Sequence, residues 1–357
     1  MTQSTADPQP PPTEAARDVR ATMWDMITAY RISQIVRTAA TLSLAEHCAA
    51  GTVTAASIAR AESTDAGTTA RLLRACAAIG LLTCQEDLSF SGTPLLDMLR
   101  RDAAGSQWGF AMSLPAPGHW RPWGDLPEAV RTGKSQAAQT LGGDLFDYYA
   151  THQEEGVAFF AGLSGMTAVA GAEAARVIDT RHTRLAVDVG GATGTLLHAL
   201  MALNPTLHGI VHDVPTVAAA ATVAARALGL HDRLTAVGGD FFASVPKGAD
   251  MYLLRYVLHD WDDASCIRIL SNCRKAMAPG ARLYVLEMVR GPVGAEDKVV
   301  PLQDLNMLAI LHGKERSVAE FDALLQAAGL RRTAVKPTHS PMSIIEATAA
   351  SSGVSYE

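Results

Sequence analysis

A change in hydrophobic periodicity near residue 180 constrains the fold of this chain more than any other feature of its sequence. Beyond that point, short apolar segments alternate with helical stretches at 194–203, 215–228 and 263–277. The five apolar segments are LAVDVGG, HGIVHDV, LTAVGGD, ADMYLLRYVLH and ARLYVLEMV. Strands that alternate with helices at this spacing predict a Rossmann-like α/β domain with a doubly wound parallel sheet.

The sequence before residue 180 is predicted to be mainly helical. From about Val19 to Ala50, apolar residues at spacings of three and four indicate helices with one buried face. Two helices at 54–61 and 67–79 precede two short strands around Gln85–Leu88. This order is typical of a winged helix, in which a helix–turn–helix is followed by a hairpin.

These patterns predict five regions. Four prolines within residues 1–13 indicate an extended or disordered tail. The other four regions are a winged-helix domain at 14–105, a helical region at 106–180, the α/β domain at 181–348 and a tail at 349–357.

Composition and charge argue against nucleic-acid and membrane partners. Of the 357 residues, 48% are hydrophobic and 18% are charged, which suits a chain with a substantial core. The net charge is −6, and residues 14–110 hold nine arginines and no lysine against ten acidic residues. A DNA-binding winged helix needs a basic surface, which this region lacks. A ligand-sensing regulator is therefore the more distant alternative.

Cysteine usage and the N-terminus predict a cytoplasmic protein. The five cysteines include no CxxC pair, so we expect reduced thiols and neither disulfides nor a zinc site. The first residues lack the basic and apolar regions of a signal peptide. We also expect no apolar run of about 18 residues that could span a bilayer.

A glycine-rich segment, Asp188–Gly194 (DVGGATG), follows the first predicted strand and opens a helix. Glycine at a sharp strand-to-helix turn permits unusual dihedral angles and lets a ligand approach the backbone. The segment therefore predicts a nucleotide-like ligand, with a tight turn that binds nothing as the alternative. The dinucleotide form GxGxxG would need glycines where Ala192 and Thr195 stand, which disfavours a nicotinamide oxidoreductase.

Acidic residues end the second and third predicted strands. Asp213 occupies the position that accepts hydrogen bonds from ribose hydroxyls in such folds, although a helix cap before Pro215 is the alternative. Asp240 and Phe241 follow the third strand. They could bind an adenine amino group and stack on its ring, or be a turn acid beside a core phenylalanine.

His259, Glu287 and Glu315 are the candidate catalytic residues. His259 and Glu287 follow the fourth and fifth strands, and Glu315 lies in a loop before a helix. Ligands bind outside the carboxyl ends of the strands in open α/β sheets, which places the imidazole where chemistry would occur. Flanking carboxylates would fix its tautomer and raise its basicity. A structural histidine is the alternative.

The run His-Asp-Trp-Asp-Asp, which begins at His259, superficially suggests a metal site. Its consecutive residues cannot all point inward, so we expect catalysis without a metal.

Taken together, these motifs resemble the S-adenosylmethionine-dependent small-molecule O-methyltransferases, which include plant caffeic-acid and flavonoid enzymes and bacterial enzymes that tailor polyketides and antibiotics. The resemblance spans roughly residues 20–347. The segments that carry it in the family's order are LAVDVGGATG, GIVHDVP, GGDFF, LLRYVLHDWDD, APGARLYVLE and HGKERSVAEFDALLQAAGL. The first half is similar in its winged-helix dimerisation region and in PWGDLPEAVRTGK and FDYYATHQE.

The resemblance implies a binding site for S-adenosylmethionine. The residues that it places there are Gly190, Asp213, Asp240, Phe241 and Arg255. Ala192 departs from the family, which usually has a third glycine at this position. Its methyl group would narrow the methionine side of the pocket without removing the site.

The resemblance also assigns catalytic and acceptor-binding roles. His259 matches the family's catalytic base, and Glu287 and Glu315 match its two flanking acids. Met166 and Met307 fall near positions that contact the acceptor, in the region 106–180 and beyond it.

The implied function is transfer of a methyl group to a hydroxyl, in particular a phenolic hydroxyl, of a small aromatic natural product by a homodimeric enzyme of secondary metabolism. Some relatives lack the base and use bound S-adenosylmethionine for hydroxylation, decarboxylation or cyclisation, which is the nearer alternative. Retention of His259 and both acids favours methyl transfer. The sequence does not identify the acceptor.

Overall fold

The computed structural model of this chain describes residues 14–292, 294 and 298–350. The chain divides into two compact units, one ending at Pro115 and the other beginning at Ala116. The predicted tail at 1–13 and most of the predicted tail at 349–357 lie outside the described residues.

Short helices and one hairpin build the N-terminal unit. Its helices are α1 (Glu14–Thr28), α2 (Tyr30–Thr41), α3 (Leu44–Ala49), α4 (Ala55–Ala61), α5 (Ala66–Ala78), α6 (Pro94–Asp97) and α7 (Trp108–Ser113). Strand β1 (Leu82–Cys84) pairs antiparallel with β2 (Phe90–Gly92). The predicted helix–turn–helix and hairpin are therefore present in the predicted order.

Local capping signals fix the helix–turn–helix. Thr54 and Ser57 form a capping box at the start of α4, and the Asp65 side chain accepts the Thr68 N–H at 2.8 Å at the start of α5. Leu44, Leu73 and other apolar residues from these helices and the hairpin form one core.

An apolar surface remains exposed on α1 and the start of α2. Its members are each at least half exposed: Val19, Met23, Trp24, Met26, Ile27, Tyr30 and Ile32. Exposed apolar surfaces of this kind are typical of contact sites for other proteins or for membranes.

The C-terminal unit is a seven-stranded sheet with helices on both faces. Its helices are α8 (Pro117–Gly124), α9 (Leu126–Thr132), α10 (Ala137–Leu141), α11 (Leu145–Thr151), α12 (Gln153–Val177), α13 (Thr195–Leu203), α14 (Pro215–Ala227), α15 (Asp263–Ala276), α16 (Val299–Ile310) and α17 (Val318–Ala327). Its strands are β3 (Leu185–Val189), β4 (His208–Asp213), β5 (Leu234–Gly238), β6 (Met251–Arg255), β7 (Arg282–Met288), β8 (Leu330–Pro337) and β9 (Met342–Ala349).

The strand order is β5-β4-β3-β6-β7-β9-β8, and β3 to β7 are parallel. All five strands expected from the sequence are confirmed. The antiparallel strands β8 and β9 were not anticipated. Half of the eight residues of the edge strand β8 are polar, and three of these, Arg331, Arg332 and Lys336, are basic, so its pattern resembles a loop.

The central strands are apolar throughout because both of their faces are covered. On β6, Tyr252 and Leu254 pack into the core that holds α15 and α17, while Met251 and Leu253 pack into the core that holds α13 and α14. A strand that is buried on two faces leaves only its carboxyl end open to a ligand.

The direction of chain winding reverses between β3 and β6. Strands β4 and β5 extend the sheet on one side of β3, and β6 and β7 extend it on the other. A Cβ atom on Gly190 would lie 2.8 Å from Cγ2 of Val257, so the segments that follow β3 and β6 touch. In open α/β sheets the ligand crevice lies at this switch point.

Helix α12 is the one helix in the described ranges that is long and apolar enough, by length and composition, to cross a membrane. The expectation of no apolar run long enough to span a bilayer missed this helix, because serine, threonine and glycine interrupt its apolar residues. Core helices pass the same test, and Ala170 and Ala174 of α12 pack with Leu196 and Leu200 of α13.

Candidate active site

The glycine turn after β3 adopts backbone conformations that favour glycine. Gly190 and Gly194 have φ angles of +70° and +83°. A Cβ on Gly191 would lie 2.7 Å from Cγ of Asp188, so the turn also packs directly on that carboxylate. The glycines at 190 and 191 are therefore required by packing, whether or not a ligand is bound.

Ala192 shares this left-handed conformation, with φ of +49°. For an L-residue such a conformation costs roughly 1–2 kcal/mol. The Ala192 N–H donates to Oδ2 of Asp213 at 2.9 Å, which stabilises the strained turn. The alanine that departs from the family pattern thus keeps the backbone shape that a glycine would adopt.

Asp213 has unused hydrogen-bonding capacity. Its Oδ2 accepts the Ala192 N–H, and its Oδ1 accepts the Val214 N–H at 2.8 Å. Each carboxylate oxygen can accept more than one hydrogen bond. Asp213 can therefore hold the glycine turn and accept ligand hydroxyls at the same time.

Phe241 lies beside the glycine turn, 3.9 Å from where a Gly190 Cβ would stand. Its ring meets that of Trp261 edge-on, with centroids 6.1 Å apart. Asp240 is exposed, and its Oδ1 accepts the Phe242 N–H at 2.8 Å. The sequence analysis gave Trp261 no role, because only the folded chain brings it next to the segment after β5.

Asp188 is a candidate site residue to which the sequence analysis assigned no role. It is 1% exposed, and neither carboxylate oxygen has a hydrogen-bond partner among the described residues. Burial raises its pKa to about 6, against the opposing charge of Arg255. The signal in the sequence was an acid within an otherwise apolar strand, since buried acids are rare unless paired.

Arg255 is buried beneath the site. It donates to the Thr167 carbonyl at 2.9 Å and to Oγ1 of Thr195 at 2.8 Å. These contacts tie α12 to the start of α13, and the positive charge of Arg255 acts to lower the pKa of Asp188.

The three predicted catalytic residues come together at the ends of β6 and β7. His259 lies in a 3₁₀ turn at Leu258–Asp260, and its side chain is 12% exposed. Its Nδ1 lies 2.9 Å from Oε1 of Glu315 and 3.7 Å from Oε2 of Glu287. Both carboxylates are fully buried.

Backbone N–H groups hold the carboxylate of Glu287, and the side chain of Asp304 holds the backbone of Glu315. Oε1 of Glu287 accepts the Val257 and Leu258 N–H groups at 3.0 and 2.9 Å. The Glu315 N–H donates to Oδ1 of Asp304 at 2.8 Å. These bonds leave Oε2 of each glutamate buried without a hydrogen-bond partner among the described residues.

This arrangement determines the tautomer and charge of His259. Nε2 also lies near a carboxylate, 3.4 Å from Oδ1 of Asp260. Nδ1 makes the shorter contact, the hydrogen bond with Glu315, so we assign the proton of the neutral ring to Nδ1 and the free lone pair to Nε2. Burial alone lowers the pKa of His259, but Glu287, Glu315 and Asp260 outweigh it and raise the pKa to about 10. The imidazole is therefore a much stronger base than an ordinary histidine.

His259, Glu287 and Glu315 also offer ligand atoms that all lie within 4.8 Å of one another. A histidine nitrogen and two carboxylate oxygens at this spacing can bind a divalent metal ion. The candidate set thus differs from the consecutive run that the sequence suggested. Catalysis without a metal stays a prediction.

The structure places the two predicted acceptor residues on different helices. Met166 is half-buried on α12, and Met307 is buried on α16. Beside Met307, Asn306 accepts the Trp123 Nε1–H at 2.9 Å through its Oδ1. Contact of either methionine with an acceptor stays a prediction.

Comparison with known proteins gives two family matches. Residues 123–331 match the model of the O-methyltransferase domain, and residues 24–101 match that of the O-methyltransferase dimerisation domain.

Individual relatives are similar to this chain over nearly its whole length. The phenazine O-methyltransferase PhzM of Lysobacter antibioticus is 35% identical, over 90% of this chain and 94% of its own. The structure of the mitomycin 7-O-methyltransferase MmcR superposes with a TM-score of 0.88 at 31% identity, covering 95% of this chain and 100% of that one. The structure of the O-methyltransferase NcsB1, in complex with S-adenosylmethionine and 2-hydroxy-5-methyl naphthoic acid, superposes with a TM-score of 0.78 at 35% identity. The match covers 89% of this chain and 96% of that one.

These matches cover both units and lend no support to a transcriptional regulator or a nicotinamide oxidoreductase. The matches agree with the glycine turn at the switch point and with the predicted catalytic residues beside it. The chain belongs to the S-adenosylmethionine-dependent O-methyltransferases.

Proposed function

We propose that this enzyme methylates a phenolic hydroxyl of a small aromatic natural product, with His259 as the general base. The observation that carries this proposal is the shortest carboxylate contact of the ring, 2.9 Å from Nδ1 to Oε1 of Glu315. Nε2 lies 3.4 Å from Oδ1 of Asp260, and we propose that this nitrogen takes the proton of the acceptor. Two of the three named relatives, a phenazine O-methyltransferase and an O-methyltransferase in complex with a naphthoic acid, support an aromatic acceptor.

The residues at the switch point fit S-adenosylmethionine. Asp188 has a buried carboxylate without hydrogen-bond partners among the described residues, and Asp213 has spare acceptor capacity. These negative groups complement a cationic ligand that carries ribose hydroxyls. We propose that Gly190, Asp213, Asp240 and Phe241 line its site, with Arg255 supporting it from below. The bound cofactor supplies a methyl group that its sulfonium already activates.

The protein's remaining task is to align the acceptor and remove its proton. A phenol has a pKa of about 10, close to the value to which the surrounding acids raise His259. Proton transfer between groups of matched pKa costs little free energy, and general-base catalysis is efficient under these conditions. Only the neutral imidazole can accept the proton, so kcat/KM should rise with pH towards the pKa of His259.

Aromatic side chains lie near α16, which carries Met307. Tyr149 and Phe159 pack 5.1 Å apart between ring centroids, and they share a cluster with Trp123 and Ile310. Apolar and aromatic surroundings suit a planar apolar acceptor. We therefore propose that Met307, and Met166 on α12, contact the acceptor ring.

Replacing Asp213 with alanine should weaken S-adenosylmethionine binding. A hydrogen bond to a charged group contributes about 1.5–3 kcal/mol, which corresponds to a roughly ten- to hundredfold loss of affinity. Isothermal titration calorimetry measures this directly, with Asp232→Ala as a control at an exposed acid. An Asp213→Ala variant with wild-type affinity would remove Asp213 from the site.

Replacing His259 with alanine should lower kcat by about 10²–10⁴-fold while leaving S-adenosylmethionine affinity unchanged, because the base is lost and the cofactor contacts are not. The loss should shrink for acidic phenols, which ionise without help.

Turnover is followed with radiolabelled S-adenosylmethionine and a panel of phenols and matched anilines, with and without a chelator. Near wild-type methylation of a weakly acidic phenol by the variant would refute the proposed base, and a product without the labelled methyl group would refute methyl transfer.

We also propose a homodimer, with the exposed apolar surface of α1 in its interface. The family match to a dimerisation domain at 24–101 supports this. Light scattering at micromolar concentration should give twice the chain mass of 37.7 kDa. Met23→Glu with Ile27→Glu should reduce that mass, while Val223→Glu on α14, an equally exposed apolar position, should not. A monomeric wild-type mass would contradict the proposal.

A further inference from the structure

Arg316 has no solvent exposure, and its guanidinium contacts the segment that carries His259. Its Nη1 donates to the Leu258 carbonyl at 2.8 Å, and its Nη2 donates to the Trp261 carbonyl at 2.7 Å. These carbonyls flank His259 on both sides. A planar guanidinium bonded to both fixes their separation and orientation in a way that a flexible ammonium group cannot.

Asp263 holds the guanidinium in this position. Its Oδ1 accepts hydrogen bonds from Nε and Nη2 of Arg316 at 3.0 and 2.8 Å. Asp263 is the first residue of α15, so the contact anchors Arg316 to a helix. Four hydrogen bonds therefore leave the buried side chain little freedom to move.

The turn at Leu258–Asp260 depends on outside support. Its own backbone bonds, Asp260 N–H to Val257 and Trp261 N–H to Leu258, are both 3.3 Å long, beyond the usual 2.9–3.0 Å. The residue before Val257, Tyr256, has a φ angle of +53°, which an L-residue rarely adopts. A turn with weak internal bonds keeps its shape only if its neighbours hold it.

The loop that begins at Gly313 provides that support at three points. A Cβ on Gly313 would overlap the carbonyl oxygen of His259, so the glycine backbone lies directly against the turn. Glu315 bonds to Nδ1 of His259, and Arg316 bonds to the flanking carbonyls. The Arg316 carbonyl in turn accepts the Arg290 N–H at 2.9 Å, just beyond β7, the strand that carries Glu287.

We propose that Arg316 is a positioning residue for methyl transfer, which clamps the two carbonyls beside His259 and thereby holds the imidazole between the carboxylates and the acceptor. This inference rests on the proposed function of His259 as the base. Arg316 acts through His259 and touches neither the acceptor nor the cofactor.

Arg316→Lys tests the clamp because lysine keeps the charge but cannot hold both carbonyls and Asp263 together. We expect kcat to fall by about 10²-fold, the loss that a base displaced by about 1 Å produces, with unchanged affinity for S-adenosylmethionine. Arg332→Lys is the matched control. Arg332 makes a similar two-bond pair with Asp322, at 2.6 and 2.8 Å, and should keep wild-type kcat.

Two further measurements separate positioning from general structural support. The loss caused by Arg316→Lys should shrink for acidic phenols, and it should disappear in a His259→Ala background, where no base remains to be positioned. A loss of equal size for all phenols and in both backgrounds would overturn the proposal. Wild-type kcat in Arg316→Lys would also overturn the proposed role of Arg316. Wild-type kcat in the single variant His259→Ala would refute a different proposal, that His259 is the base.

If Arg316→Lys does not fold, as judged by circular dichroism, Asp263→Ala takes its place. Asp263 is exposed, so its removal should be tolerated while Arg316 loses the contact that orients it. We expect a kcat loss of about tenfold with the same dependence on phenol acidity. Wild-type kcat in folded Asp263→Ala would overturn the proposal.

Discussion

The contact between the His259 imidazole and two fully buried carboxylates is the interaction on which the rest of the active site depends. Burying a carboxylate costs on the order of several kcal/mol unless opposite charge and hydrogen bonds compensate. The imidazole offers the charge, and two backbone N–H groups offer the bonds to Glu287. This cost explains why the surrounding chain is so firmly held, since a small displacement would leave an acid uncompensated.

The sheet topology separates the two tasks of the enzyme. On one side of the switch point, the glycine turn follows β3, Asp213 ends β4 and Phe241 follows β5. We propose that these residues bind the cofactor. His259 and Glu287 follow or end β6 and β7, on the other side, and we assign them to the acceptor. Strands β6 and β7 pair in register with Arg255 opposite Leu286, which brings the His259 turn next to Glu287. With this proposed assignment, the reversal of strand order places the donor and acceptor sites side by side.

Sequence patterns predicted the five parallel strands and selected His259, Glu287 and Glu315, which the fold brings together, because each rests on a local signal. An apolar strand followed by a glycine or an acid can be recognised without knowledge of its partners. Other features were not predicted. These are the edge strand β8, the long apolar helix α12, and the contacts of the buried residues Asp188 and Arg316. Arg316 bonds to carbonyls 58 and 55 residues away, and no pattern in its own segment indicates such partners. Family resemblance placed Arg255 in the cofactor site, which stays a prediction. In the structure Arg255 is buried and donates to Thr167 and Thr195.

A nitrogen-15 NMR titration of His259 tests the central claim most directly, with its signals identified by their loss in His259→Gln. The account predicts an imidazolium that persists through neutral pH and titrates near the value of about 10 set by its acidic neighbours. In Glu315→Gln the titration should move to lower pH, because one negative neighbour of the cation is gone. A His259 that titrates near the ordinary value of about 6.5, and does not shift in Glu315→Gln, would contradict it.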